Sequence, residues 1–267
     1  SKTNVMRIFI LFLCTTFCLS LAAQKTITIT AETKSCNGKE LAIYTFDGTA
    51  FKPFVAATGE ADKYQFTIPA DGPRFYYFGP DPGHLQPMIL GDEPEAILTT
   101  SCNGALPTGI KNSAINTQYQ ALKDEFNRIN QANQKAITTY RRSFRQADLK
   151  PKSIEMMAEV DDQRLRLLDS LKKANPFLAR VAALNTYLSY FNHGEDRYEN
   201  EMEYFANEFF QFVDWKDEGF HQLPWVYESF KNYGNNLSQM HMRTSYSEEC
   251  ILFSGYCSRE QTVLRFW

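Results

Sequence analysis

The cysteines carry the most reactive side chains of this chain, and their spacing decides whether they could exchange disulfides. A thiol–disulfide active site needs two cysteines separated by two residues, so that one thiolate attacks and the other resolves the mixed disulfide. Cys250 and Cys257 have six residues between them. The spacing therefore predicts no redox site. The remaining cysteines are Cys14, Cys18, Cys36 and Cys102.

Metal ligands are the second chemistry that these residue types could support. Met240, His241 and Met242 precede Cys250 and Cys257, a set of soft ligands that would suit Cu(I). No regular pattern predicts a scaffold that would hold this set, so we expect no metal site there. Four histidines lie far apart without zinc spacing, namely His84, His193, His221 and His241.

Paired carboxylates could serve as a general acid and base, but here they are sequence neighbours. Asp161 is followed by Asp162, and Glu248 by Glu249. Adjacent residues on a helix point apart, so neither pair is predicted to act together. The sequence contains no phosphate-binding loop, dinucleotide fingerprint or catalytic-triad order. We therefore predict no catalytic residue, no metal and no cofactor.

The N-terminus has the pattern of a secretory signal. Met6-Arg7 gives a short positive start, and Ile8 to Leu21 is mostly apolar, with small residues up to Ala23. Cleavage between Ala23 and Gln24 is predicted. A membrane anchor or a buried helix is the alternative, but about 14 apolar residues are too few to span a bilayer comfortably. We expect secretion across the inner membrane to the periplasm or cell envelope, with no stable membrane span after cleavage.

Composition and net charge limit the classes of binding partner that we expect. The chain has 267 residues, of which 43% are hydrophobic and 22% charged, which is typical of a globular protein. Its net charge of −3 gives no basic excess, so nucleic acid is not an expected partner. An envelope protein or peptide is the expected partner class.

Residues 24–108 show the pattern of a β-sheet domain. About seven short segments of alternating or apolar residues follow one another at 8–12-residue spacing, which predicts an antiparallel β-sandwich. Cys36 and Cys102 both lie at turns beside these strands. An oxidising compartment would permit a disulfide between them, but two unpaired thiols fit the sequence equally well.

Residues 109–239 change to a helical pattern. Asn112 or Ser113 can cap a helix whose apolar stripe continues to about Phe144, and Ser153 begins a second helix that should pair with the first. Residues 240–267 form a divergent tail without a clear stripe. The predicted fold class is α+β, an antiparallel β-sandwich followed by an all-α helical bundle.

Aromatic residues dominate the end of the helical region. Three segments repeat apolar residues at spacings of three and four, which puts each set on one helical stripe and favours a shared core over a ligand groove. Phe210 and Trp215 fall off these stripes, so they are the candidates for an exposed aromatic contact. The stripes are Phe177, Val181, Leu184, Leu188 and Phe191; Tyr198, Met202, Phe205, Phe209 and Phe212; and Val226, Phe230, Tyr233 and Leu237.

Several of these features together resemble a known family. Residues 6–239 are similar to the N-terminal region of TlpA-like thiol–disulfide oxidoreductases from Gram-negative cell envelopes. The similarity is carried by the signal segment and by four motifs: Ile89-Leu90-Gly91-Asp92-Glu93-Pro94 with Leu98-Thr99-Thr100-Ser101-Cys102, Asn116-Thr117-Gln118-Tyr119-Gln120, Asn175-Pro176-Phe177-Leu178-Ala179, and Glu203-Tyr204-Phe205-Ala206-Asn207-Glu208.

The resemblance implies a β-rich domain of unknown function and a helical segment that precede a thioredoxin-fold domain. In the family the Cys-x-x-Cys motif would follow the helices, but after Gln239 this sequence departs from the pattern. We expect a truncated or frame-shifted reading frame, and no catalytic residue carries over. The expected function is substrate recruitment or positioning for a thiol–disulfide oxidoreductase. A stand-alone envelope module that binds a peptide or glycan is the alternative.

Overall fold

A computed structural model describes residues 25–91 and 93–244, with side chains up to residue 239. The predicted signal cleavage site at Ala23 and Gln24 lies outside the described residues, as do Cys14, Cys18, Cys250 and Cys257. Among the described residues no helix is long and apolar enough to cross a membrane.

In the described part of the chain, eight strands come first and form two sheets. The strands are β1 Thr26–Lys34, β2 Glu40–Phe46, β3 Phe51–Thr58, β4 Lys63–Pro69, β5 Arg74–Gly79, β6 Gln86–Leu90, β7 Glu95–Ser101 and β8 Gly109–Lys111. One sheet has the order β4-β1-β7-β8 and the other the order β3-β2-β5-β6.

Alternate side chains along the strands of the first sheet are apolar and buried, as the sequence pattern predicts. Ile27, Ile29 and Ala31 on β1 are fully buried, and Phe66 opposite Ile29 on β4 is buried as well. These side chains face the second sheet and form the core of a β-sandwich. One pairing differs from the predicted antiparallel pattern, because β1 pairs with β7 in parallel. The other strand pairs are antiparallel.

Six helices follow within the residues that the structure describes, so the predicted α+β class is confirmed. They are α1 Ala114–Ser143, α2 Leu149–Ala174, α3 Pro176–Leu184, α4 Tyr190–His193, α5 Glu201–Glu208 and α6 Val226–Thr244.

The sheet ends later than predicted. Strand β8 lies beyond the expected boundary at residue 108 and pairs with β7. Asn112 then takes a left-handed backbone conformation, and the Ser113 hydroxyl accepts a hydrogen bond from the backbone N–H of Asn116 at 3.3 Å. Ser113 is therefore the residue that caps α1.

The helices pack on the outer face of the second sheet. Phe75 on β5 and Ile89 on β6 are buried in the same core as Tyr119 of α1 and Phe177 of α3. Phe75 lies 5.4 Å from Phe177 and 4.6 Å from Trp225, between ring centroids. The sheet is thus covered on both faces here, and the β-sheet and helical regions share apolar packing.

Helix α2 begins four residues before the predicted start at Ser153. Pro151 lies within its first turn, where a missing backbone N–H costs no helical hydrogen bond. At this position the proline is compatible with the helix.

The first aromatic segment is broken where its stripe predicted a continuous helix. Helix α3 ends at Leu184, and residues 185–189 separate it from α4. The Asn185 and Thr186 side chains donate to the carbonyls of Val181 and Ala182, at 2.8 and 2.7 Å. The bond from Thr186 adds to the one that the Ala182 carbonyl accepts from the Asn185 N–H at 3.1 Å, so side chains reinforce the end of the helix.

Candidate functional site

Cys36 and Cys102 are joined by a disulfide, with their Cα atoms 5.2 Å apart. The bridge connects the residues just after β1 and β7, whose last residues Lys34 and Ser101 are paired. Cys36 is fully buried, and its carbonyl accepts a hydrogen bond from the Tyr64 hydroxyl. Of the two alternatives left open by the sequence, the structure has the bonded one, and its position gives it a structural role.

The predicted contact residues Phe210 and Trp215 lie together with a third ring. Phe210 and Trp215 meet edge to face at 5.2 Å, and Phe230 lies 5.0 Å from each of them. Trp215 is 37% exposed and Phe230 49%, while Phe210 packs partly into the helical core. We call these three rings the aromatic surface.

Phe230 was assigned wrongly from its spacing. Its position on the third stripe predicted a core residue, but half of its side chain is exposed. The same stripe is only half-buried at Val226, Tyr233 and Leu237. The pattern is that of an amphipathic helix, but the spacing alone does not say how deeply that face is covered.

A salt bridge positions the turn that carries Trp215. Arg180 of α3 donates from Nε to Asp217 Oδ2 at 2.6 Å, and this bond holds the pKa of the Asp217 carboxyl below its usual value. The Gly219 N–H donates to the same carboxylate at 2.9 Å. A Cβ atom at Gly219 would lie 2.4 Å from Arg180 Nε, so a larger residue would displace the arginine. His221 Nε2 lies 3.3 Å from the Trp215 carbonyl oxygen.

A buried polar cluster lies inside the helical region, around Asp161 of α2. The Asp161 side chain is 1% exposed, whereas that of its neighbour Asp162 is 68% exposed. The Ser189 hydroxyl donates to Asp161 Oδ2 at 2.5 Å, and the Ser189 N–H donates at 3.1 Å. Arg164 Nη1 lies 3.5 Å from Oδ1, and His193 Nε2 lies 3.5 Å from Oδ2. Burial raises the pKa of Asp161, and the bonds from Ser189 and the charge of Arg164 oppose that shift.

This cluster has the residue types of a catalytic triad but not its geometry. In a triad the histidine lies between serine and aspartate, so that it can take the proton of the serine hydroxyl. Here the carboxylate lies between the other two, and the hydroxyl donates to it directly. The arrangement fixes the chain that enters α4 and does not activate Ser189 as a nucleophile.

Sequence reasoning missed this cluster, although a signal was present. Asp161 and Arg164 occupy stripe positions between Met157 and Leu168, where apolar residues are expected. The Arg164 side chain is only 11% exposed, and Nη1 donates to the Tyr187 carbonyl at 2.8 Å. Charged residues on an apolar stripe were the available clue.

A cavity of about 30 Å³ adjoins the cluster. It is bounded by α1, α2, α4, α5 and the chain between α3 and α4. Asn133, the polar residue on the α1 stripe, is buried at its wall. Burial raises the pKa of the Glu201 carboxyl, which also lines the cavity, to about 7. The other residues of its wall are Ile137, Met157, Arg164, Tyr187, Leu188, Ser189, Tyr190 and Phe191.

The described residues contain no group of three or more histidine, cysteine or acidic side chains that could hold a metal ion. His84, His193 and His221 lie apart from one another, each with a different partner. The soft-ligand set at residues 240–257 lies outside the described side chains. Comparison of the chain with models of known protein families, with curated proteins and with solved structures found no match.

Proposed function

We propose that this chain is a non-catalytic binding region of a cell-envelope protein, which recruits polypeptide substrates for a thiol–disulfide oxidoreductase. The observation that carries the proposal is the aromatic surface, in which three rings contact one another and two are substantially exposed. The link to an oxidoreductase rests on the resemblance to TlpA-like N-terminal regions. A recruiting region needs a contact surface and no reactive group of its own.

The energetics of aromatic contacts support this use of the surface. Rigid Trp and Phe side chains bury a large area and lose few rotamers when they are covered. A central anchor of this kind typically contributes about 2 kcal/mol or more to an interface. The salt bridge between Arg180 and Asp217 fixes the turn around Trp215 before a partner binds. Binding therefore costs less free energy for ordering this turn.

The disulfide supports an oxidising compartment for the protein. Disulfides persist in secreted and periplasmic proteins and are rare in the cytosol. Expression in a Gram-negative host followed by N-terminal sequencing tests the predicted secretion. A mature chain that begins at Gln24 is the expected result, and a mature chain that begins at Met6 would contradict it.

Binding of an unfolded polypeptide tests the proposed recruitment. Fluorescence anisotropy with labelled, reduced and carboxymethylated α-lactalbumin should show saturable binding to the mature chain. The double variant Trp215→Ala/Phe230→Ala should bind at least about tenfold more weakly. Phe144→Ala is the matched control, because Phe144 is a 71% exposed ring at the end of α1. The absence of saturable binding, or equal losses in the double variant and the control, would refute the proposal.

A stand-alone glycan-binding module is the second candidate. The rings of Trp215 and Phe230 are stacked, 28° from parallel, and both are partly exposed. A sugar ring could pack against the exposed part of such a stack. Competition by soluble oligosaccharides in the anisotropy assay separates the two candidates, since a polypeptide-binding surface should not be blocked by them.

A further inference from the structure

The hairpin of α1 and α2 ends in a turn at the opposite end of α1 from the β-sandwich. Helix α1 starts against β6, and its 30 residues extend about 45 Å from there. Near its far end, Tyr140 packs with Met157 of α2 and Phe191 of α4 in a cluster built from helices. Residues 144–148 then join α1 to α2. We call residues 141–152 the hairpin tip.

The hairpin tip carries an excess of positive charge in an acidic chain. It contains five basic residues and a single acid, Asp148, whereas the whole chain has a net charge of −3. All five basic side chains belong to exposed residues. Four of them have no ion pair with a carboxylate among the residues that the structure describes, namely Arg142, Arg145, Lys150 and Lys152.

Helix stability explains only part of this charge. Arg141 and Arg142 lie in the last turn of α1, where cations stabilise the helix end. Lys150 and Lys152 lie in the first turn of α2, where the helix macrodipole disfavours positive charge. The first turn of α2 contains no acidic residue that would offset them. Binding to an anionic partner accounts for these lysines better than folding does.

An apolar ring lies among the cations. Phe144 is 71% exposed, the highest value among the exposed large hydrophobic side chains that the structure describes. Tyr140 contacts it edge to face, with 5.6 Å between the ring centroids. A single ring on a convex turn offers a rigid protein partner little area to bury, but it can enter a fluid interface.

We propose that the hairpin tip binds the surface of a membrane that contains anionic phospholipids. The basic side chains would contact the phosphate headgroups, while the Phe144 ring enters the boundary between headgroups and acyl chains. Arginine and lysine have long apolar stems, so their charges can stay at headgroup depth beside the inserted ring. Charge complementarity and the exposed ring together favour this partner over an acidic protein, which would attract the cations but would not accommodate the ring.

The hairpin tip is separate from the aromatic surface. Phe210 of the aromatic surface packs against the core that the helices share with the second sheet, whereas the tip adjoins the cluster around Tyr140. Membrane binding would therefore leave the aromatic surface accessible to a polypeptide.

Co-sedimentation of the mature chain with lipid vesicles tests the proposal. Vesicles of phosphatidylcholine with about 30% phosphatidylglycerol should bind the chain at least about tenfold more strongly than pure phosphatidylcholine vesicles do. Sodium chloride at about 0.5 M should release most of the bound chain, because salt screens charges at exposed sites. Equal binding to the two kinds of vesicle would overturn the proposal.

A pair of charge variants locates the contact. Arg145→Gln/Lys150→Gln should bind the anionic vesicles at least about tenfold more weakly, because each cation near such a surface contributes about a factor of five. Lys172→Gln/Lys173→Gln is the matched control, since it removes the same charge from exposed positions at the other end of α2. The control should bind within about twofold of the unchanged chain. Equal losses in the two variants would reduce the effect to net charge and contradict the proposal.

Variants of Phe144 test insertion of the ring. Phe144→Ala should bind the anionic vesicles at least about fivefold more weakly, because it removes the apolar side chain that the membrane would bury. Phe144→Trp should bind at least as well as the unchanged chain, since tryptophan favours the membrane interface. Undiminished binding by Phe144→Ala would overturn the proposal.

Two further measurements separate this proposal from its competitors. Trp215→Ala/Phe230→Ala should bind the anionic vesicles as the unchanged chain does, so that membrane binding and polypeptide recruitment can fail independently. A loss in this variant equal to that of Arg145→Gln/Lys150→Gln would refute a contact confined to the hairpin tip. If soluble polyglutamate binds the chain while the anionic vesicles do not, the tip recognises an acidic protein and the proposal fails.

Discussion

The Asn116 side chain pairs with the backbone of Ile89 as a neighbouring strand would. Asn116 Oδ1 accepts from the Ile89 N–H at 2.9 Å, and Nδ2 donates to the Ile89 carbonyl at 2.6 Å. Ile89 lies on β6, the last strand of the second sheet. The first turn of α1 thus satisfies the N–H and the carbonyl of Ile89. At the edge of a sheet these groups would otherwise be open to pairing with a strand of another chain.

Replacing Asn116 should therefore destabilise the junction of the sheet and the helices. We expect Asn116→Ala to lower the free energy of unfolding by about 2 kcal/mol, because two partly buried backbone groups lose their partner. Urea denaturation measures the change. Asn127→Ala, on an exposed face of the same helix, should change stability by less than about 0.5 kcal/mol. Equal effects of the two variants would show that the paired amide adds nothing.

The disulfide should contribute strongly to stability, because it joins residues 66 positions apart. Restricting a loop of that length in the unfolded chain stabilises the native state by about 4 kcal/mol. The double variant Cys36→Ala/Cys102→Ala should show a loss of this size in urea denaturation. A reducing agent should destabilise the unchanged chain but leave the double variant unaffected. If the reductant destabilised both chains equally, the loss of stability would come from other cysteines and not from this disulfide.

Asp161 and Asp162 offer a comparison of adjacent residues in opposite surroundings. Asp161→Ala leaves the Ser189 N–H without its acceptor and Arg164 without its carboxylate, so a loss of about 3 kcal/mol is expected. Asp162→Ala should cost less than about 0.5 kcal/mol, because that side chain is exposed and only 4.0 Å from Arg166. Thermal and urea unfolding of the two variants measure both values, and comparable losses would contradict the importance of the cluster.

Glu201 should make stability fall as the pH rises. Its pKa is about 7 in the folded chain against an ordinary value of 4.5, so the folded state binds more protons between these values. The contribution of the protonated Glu201 to the free energy of unfolding is fully present below pH 4.5. It declines by at most about 3 kcal/mol as the pH rises to about 7. Glu201→Gln removes this loss, so its advantage in melting temperature should be larger at pH 8 than at pH 4.5. An advantage that is independent of pH would show that Glu201 ionises normally.

Local patterns predicted much of this fold. Alternation in residues 26–30 and 64–68 marked buried faces of β1 and β4, and the stripe from Ile115 to Tyr140 marked α1. These signals depend on the burial of one face and can be read from neighbours along the chain.

Those local patterns do not predict contacts between residues that are distant in sequence. The parallel pairing of β1 with β7, the amide of Asn116 on β6 and the break after Leu184 all depend on residues distant in sequence. The candidate sites divide in the same way. Phe210 and Trp215 were found because they leave a stripe, whereas the surroundings of Glu201 come from four helices and have no signature in the sequence.

The parallel pair also determines the order in which the first sheet can be completed. Strand β1 lies between β4 and β7. Its pairing with β4 can form early in synthesis, but its other edge stays open until the ribosome has released the chain through Ser101. Contacts between residues so distant in sequence form slowly, and a half-paired strand is exposed to aggregation meanwhile. The rate of folding is therefore expected to depend on the arrival of β7, after which α1 can close over β6.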